Sequence, residues 1–64
     1  MKRTKDLKPG TILDNGYEEI TIDSAFDEFH NAYSYTAESG YSGWLTLTDM
    51  DNQDVILLWQ PSDY

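Results

Sequence analysis

The sequence contains no cysteine, and beyond residue 8 it contains no lysine or arginine. The first absence excludes disulfide staples and thiolate zinc sites. It does so in a chain of 64 residues, short enough that folding buries only about 60 % of the surface exposed when unfolded. A reducing compartment such as the cytoplasm fits that composition. No apolar run approaches the roughly 18 residues that span a bilayer. The basic start is followed by Asp6, Pro9, Gly10 and Asp14 rather than by the apolar core of a secretory signal. Hydrophobic residues at 39 % and aromatics at 14 % are too many for a disordered acidic tail. The sequence therefore predicts one small, soluble, cytoplasmic domain.

The second absence divides the chain into a basic arm, residues 1–8, and a single acidic domain, residues 9–64. Lys2, Arg3, Lys5 and Lys8 are offset by Asp6 alone, which leaves +3 on the arm and −11 on the body out of a total of −8. Binding DNA or an anionic bilayer requires basic groups that replace counterions, so the body is expected to bind neither directly. Solubility alone explains acidity but not its purity. Mixed signs serve solubility with less self-repulsion, so a field of one sign points to a partner of the other sign.

Along the chain, Gly10–Asp14 and Tyr17–Asp23 flank Asn15-Gly16, a pair suited to the positive φ angles of a type I′ hairpin turn. Glu19, Thr21 and Asp23 share one face of the second strand, Ile20 and Ile22 the other. Over residues 24–33 the period lengthens: Phe26, Phe29, His30 and Tyr33 form one helical stripe, and Ser24 with Asp27 matches a capping box. The spacing predicts a short helix there. Its rival is a twisted strand through Ala32–Ala37, where Tyr33 and Tyr35 alternate. Glu38–Gly43 reads as a loop. Residues 44–49 and 54–59 are expected to pair as a second hairpin, with VILLW (55–59), apolar on both faces, as a covered central strand. Either Trp44 and Tyr17, a curling of the sheet, a partner or a second copy would close its second face. The QPSDY tail is expected to fray. These elements predict a small α+β domain: an antiparallel sheet of about four strands with one short helix. An all-β SH3-like barrel is the alternative, and LKPGTIL resembles the first strand of such barrels.

Catalytic signatures are sparse. His30 is the single histidine and nothing places a serine beside it. Glu18 and Glu19 face opposite ways on a strand, and no glycine-rich phosphate loop is followed by a helix and a lysine. The chain is therefore expected to be non-enzymatic and to need no cofactor or metal. Asp49, Asp51 and Gln53 match the first, third and fifth positions of a calcium loop. The glycine and the bidentate glutamate such a loop requires are replaced by Asp54 and Gln60, so an acidic turn is the better account.

Binding chemistry is better represented. Tyr33, Tyr35, Tyr41 and Trp44 lie among Ser, Gly and Thr beside Glu38, a composition that gives rigid aromatic contacts on an adaptable loop. Alternate residues of a strand stand about 6.7 Å apart, close to the roughly 6–7 Å between successive phosphates. A row along Glu19, Thr21 and Asp23 to Asp27 and Glu28, with a second through Asp49, Asp51 and Asp54, would match the cationic groove of a nucleic-acid-binding protein, and Glu18 beside the row is counted among the partner-binding residues. An acidic adaptor or assembly module that binds through the aromatic residues is the alternative. Composition leaves the oligomeric state open.

Tyr41, Trp44, Leu45, Leu47, Asp49, Asp51, Asn52, Ile56 and Leu58 follow the order of a tyrosine, a tryptophan, an alternating strand, an acidic turn and an aliphatic strand. In this the chain resembles small acidic phage-type inhibitors that mimic DNA, the uracil-DNA glycosylase inhibitors among them. Glu19, Ile20, Asp23, Ser24, Asp27 and Glu28 stand where that family carries a Glu-Ser-Ile element and an acidic helix, although the triplet itself is absent. The resemblance implies an inhibitor that occupies a nucleic-acid site with its carboxylates.

Overall fold

A computed structural model describes residues 1–62; of the QPSDY tail, residues 63 and 64 lie outside the described residues. Strands β1 (Ile12–Asp14) and β2 (Glu19–Ile22) form the expected hairpin, with Leu13 opposite Ile20 and Asp14 opposite Glu19. The turn between them differs from type I′. Gly16 alone takes a positive φ, +97°. Asn15 contributes its side chain instead, its Oδ1 accepting from the N–H groups of Tyr17 and Glu18 at 2.9 Å each.

Residues 24–33 form no helix. The two residues of the apparent capping box have other partners: Ser24 Oγ lies 2.9 Å from Ser34 Oγ, and Asp27 closes a tight loop. Its Oδ1 accepts from Phe29 and His30 N–H, its backbone exchanges two hydrogen bonds with Ala32, and Asn31 takes a left-handed φ of 54°. Phe, His, Asn and Tyr are weak helix formers, and a short helix has little to offset such local bonds. The rival reading, a twisted strand continuing through 32–37, holds only for that second part: residues 24–31 form a loop, and β3 (Ala32–Ala37) pairs with β2, Ile20 opposite Ala37 and Ile22 opposite Tyr35. The supposed stripe is split, with Phe26 against Tyr33 at 5.2 Å and Phe29 91 % exposed.

Strand β4 (Ser42–Thr46) pairs with β3 and stops where Thr46 caps α1 (Leu47–Met50). Thr46 Oγ1 accepts from Asp49 N–H at 3.0 Å and the Asp49 carboxylate accepts from Thr46 N–H at 3.2 Å, the reciprocal pair that defines a capping box. This helical turn replaces the second half of the strand expected over 44–49, so the expected hairpin of 44–49 with 54–59 does not form. The chain instead crosses the sheet, burying Met50 and Val55. Strand β5 (Ile56–Trp59) then lies beside β1, Leu57 opposite Leu13 and Trp59 opposite Ile12, with Leu58 as the extra residue of a bulge. The order is β4-β3-β2-β1-β5. VILLW is thus an edge strand, and β2 is central.

The described residues form a five-stranded antiparallel sheet with one four-residue helix, and no helix among them is long and apolar enough to cross a membrane. The core occupies one face only: Leu7, Leu13, Ile20, Ile22, Tyr33, Ala37, Leu45, Met50 and Val55. The basic arm lies against this side. Leu7 is buried, and Tyr33 Oη donates to Thr4 O at 2.7 Å while accepting from Leu7 N–H at 3.2 Å. The Met1 amine donates to the carbonyls of Met50, Asn52 and Val55. Arg3 pairs with Asp51 at 2.6 Å, and Lys5 reaches Glu28 at 3.5 Å and lies 5.1 Å from the centre of the Phe26 ring. Exposed ion pairs of this kind contribute at most about 1 kcal/mol each. Leu7 and the Tyr33 hydroxyl anchor the arm; its charges select the side it lies on.

Candidate functional site

Among the described residues none forms a layer over the outer face of the sheet. Period-2 alternation sends Ile20 and Ile22 into the core and Glu19 and Thr21 outward, and Asp23 continues that row into the following residue. The register of β2 with β3 sets Thr36 beside Thr21 and brings Glu38 next to Glu19. Glu38 Oε1 accepts from Glu19 N–H and Glu38 N–H donates to Glu19 O, both at 3.0 Å, which holds the two acidic residues side by side. Thr36 Oγ1 donates to both Asp23 oxygens, at 2.9 and 3.2 Å. Glu19, Asp23 and Glu38 line a shallow open groove with Ile12, Thr21 and Thr36. Two steps of the strand put Glu19 and Asp23 about 13 Å apart. Glu18, at the rim, accepts from Ser39 N–H and Oγ. All these donors are neutral, so they orient the carboxylates without cancelling their charge.

Toward β4, Ser34 and Trp44 continue this outer face, whereas Tyr35 and Gly43, in register with Ile22, lie on the core face. At this edge Asp23, Ser34, Tyr35, Tyr41, Ser42, Gly43 and Trp44 line a second open groove. Glycine at 43 is a matter of space: a Cβ there would stand 2.9 Å from both Tyr35 Oη and Tyr41 Cε2. Trp44 lies flat on His30, ring centres 4.1 Å apart and planes 17° apart, and His30 Nδ1 is 2.8 Å from Asp27 Oδ2. Hydrogen bonds from the His30 side chain and then from its backbone N–H hold the Asp27 carboxyl below its ordinary pKa. Burial raises the Tyr35 pKa, with the charges of Tyr41, Asp49 and Glu18 adding to it. Tyr41 and Trp44 remain 63 % and 46 % exposed.

Not every residue singled out from the sequence reaches this face. Tyr33 is completely buried and finishes the core, and burial raises its phenol pKa. Asp27 and Glu28 sit on the loop before β3 rather than extending the Glu19–Asp23 row, one bound to His30 and the other near Lys5. The second row is dispersed: Asp49 serves the capping box, Asp51 meets Arg3, and Asp54 packs beside Gly16. Among the described residues no three His, Asp or Glu side chains are grouped to hold a metal ion. Two contributors were missed: Thr36 was invisible without the β2–β3 register and His30 without the Trp44 contact. No family model, curated protein or solved structure matches this chain.

Proposed function

We propose that this protein is a non-enzymatic inhibitor that offers the carboxylates of its open sheet face to the cationic nucleic-acid site of another protein, as a DNA mimic. The observation that carries this reading is the partition of charge. Two of the arm's cations, Arg3 and Lys5, lie on the covered side, where they meet Asp51 and Glu28, while Glu19, Asp23 and Glu38 face outward and are oriented by neutral donors. Hydrogen-bond donors that fix a carboxylate without neutralising it keep its field available to an incoming cation. The resemblance to phage-type inhibitors points the same way, and a cytoplasmic location suits such a target. The last strand's return to the first across the core side is also the path of a small curled barrel, which favours that description of the fold.

A second reading rests on the Tyr41–Gly43–Trp44 surface, which would serve an acidic adaptor through aromatic contacts. One experiment separates the two. The immobilised protein is exposed to native cell lysate at low salt and eluted first with duplex DNA, then with salt. Release by DNA of a nucleic-acid enzyme, lost with the double variant Glu19→Lys/Asp23→Lys, supports the mimic. Retention that resists both eluents but vanishes with Trp44→Ala moves the function to the aromatic surface.

A further inference from the structure

The two edges of the sheet are built differently. Strand β4 carries Ser42, Gly43, Trp44, Leu45 and Thr46 and ends in the α1 cap; Leu45 is buried, and its one exposed large apolar side chain, Trp44, is stacked on His30. Strand β5 carries Ile56, Leu57, Leu58 and Trp59, which are 52 %, 43 %, 46 % and 55 % exposed. Free edges are ordinarily guarded by lysine, by an inward charge, by proline within the strand or by a bulge, because their unpaired N–H and C=O groups template another strand. Of these β5 has the bulge at Leu58 alone; no lysine, charge or proline lies within it.

From the asymmetry of the two edges we infer that β5 is a self-association edge, and that two copies pair antiparallel about a twofold axis near Leu57-Leu58. Three observations select a second copy as the occupant. Residues 55–62 contain no ionisable side chain, so a chain of net charge −8 brings no carboxylate onto the seam when it pairs with itself. Antiparallel pairing also displaces the acidic approach to the strand: Asp54 of one copy falls toward the partner's tail, near the level of Pro61, not against the partner's Asp54. An isologous contact needs one self-complementary patch, and an apolar strand is self-complementary in hydrogen bonding and in side chains. The size of the patch sets the strength. Four half-exposed apolar side chains present on the order of 400 Å² per copy, enough to mark an interaction site but about half of what a standard interface buries per partner. The dimer is accordingly weak, with a dissociation constant on the order of 10 µM.

The association does not rest on the inhibitor reading, and salt separates the two. Screening relieves repulsion between acidic bodies, so the dimer strengthens with salt, whereas binding through Glu19, Asp23 and Glu38 weakens. Sedimentation of the purified chain from about 1 µM to 1 mM, in low and high salt, reads this directly. The expected result is a mass that rises from the 7.4 kDa of one chain toward twice that value, sooner in high salt. Leu58→Lys and, separately, Ile56→Lys should keep the protein monomeric throughout with an unchanged far-ultraviolet spectrum, since both positions are about half exposed. A wild-type protein that stays monomeric at 1 mM in both buffers overturns the inference. So does a dimer indifferent to both lysines, or a mass that grows past two chains.

Discussion

Replacing Tyr33 by phenylalanine tests the attachment of the basic arm, and its effect can be worked out from three atoms. The ring stays, so packing against Phe26 and the core is retained; only Oη is lost. That oxygen donates to Thr4 O and accepts from the N–H of buried Leu7. Without it the Leu7 N–H is left buried and unpaired, which costs about 1–3 kcal/mol. The arm can escape that cost only by undocking, which forfeits the burial of Leu7, about 1.5–3 kcal/mol. Either route loses roughly 2 kcal/mol from a total that, at about 0.05–0.15 kcal/mol per residue, is some 3–10 kcal/mol for this chain. The expected fall in Tm is about 8–16 °C. Thermal melting followed by circular dichroism measures it, and hydrogen exchange at the Leu7 amide reports whether the arm remains docked. Tyr41→Phe, whose ring is largely exposed, is the control and should melt with the wild type. If Tyr33→Phe melts within about 2 °C of wild type while the Leu7 amide stays protected, the hydroxyl is not the anchor and the argument fails.

Further predictions follow from the same contacts. The Tyr33 pKa is raised by burial, so its contribution to stability is complete below pH 10 and is lost as pH rises from there through the folded value. Absorbance at 295 nm should show a last step, above the ordinary tyrosine value, that coincides with unfolding; the absence of such a step would refute burial. The Asp27 pKa is lowered, chiefly by His30, so its contribution is present above the ordinary carboxylate value and lost as pH falls through the folded one. Carboxyl NMR of wild type and His30→Gln checks this, the variant being expected to raise the midpoint toward the ordinary value while the N–H groups of residues 29 and 30 keep it below. Gly43→Ala forces the Tyr35 and Tyr41 rings aside and should cost about 1–3 kcal/mol by urea titration. An effect below about 0.5 kcal/mol would mean that the rings yield freely. Glu19→Lys/Asp23→Lys, on an exposed face, should leave urea stability within about 1 kcal/mol of wild type while removing the DNA-sensitive interaction, and global unfolding would invalidate it as a probe.

What was legible in the sequence was whatever depended on neighbours a few residues away. Alternation along Glu19–Asp23 assigned both the core and the open face of β2, and Asn15-Gly16 marked the first turn. Ser24 and Asp27 misled because the groups that cap a helix also close a loop, and nothing local says which wins. Thr46 and Asp49 carried a genuine capping box, hidden under the Leu45–Leu47 alternation. VILLW shows the limit most clearly: apolarity on both faces reports that water is unwelcome there, but not how many strands lie alongside. That number depends on a crossover that periodicity does not encode. The candidate site divides in the same way. Glu19 and Asp23 could be placed by counting, whereas Glu38, His30 and Thr36 required the register between strands.

The docking of the first segment onto the last also bears on how the chain acquires its shape over time. The Met1 amine finds its carbonyls 49 and 54 residues further on, and β1 has its outer neighbour in β5. Contacts this distant in sequence must close large loops before they return any stabilisation, which slows folding relative to helical domains of the same length. The β1–β4 meander, with Leu7 and Tyr33 to hold the arm, can assemble as it leaves the ribosome, but the Met1 amine lacks its full set of carbonyls until Val55 has followed. Completion is therefore late, when β5 reaches β1 and the Met1 amine finds its last partner. A proteolytic nick in the 51–54 turn would cut the covalent link between the meander and the strand that completes it, and loosen the arm's grip at the same time.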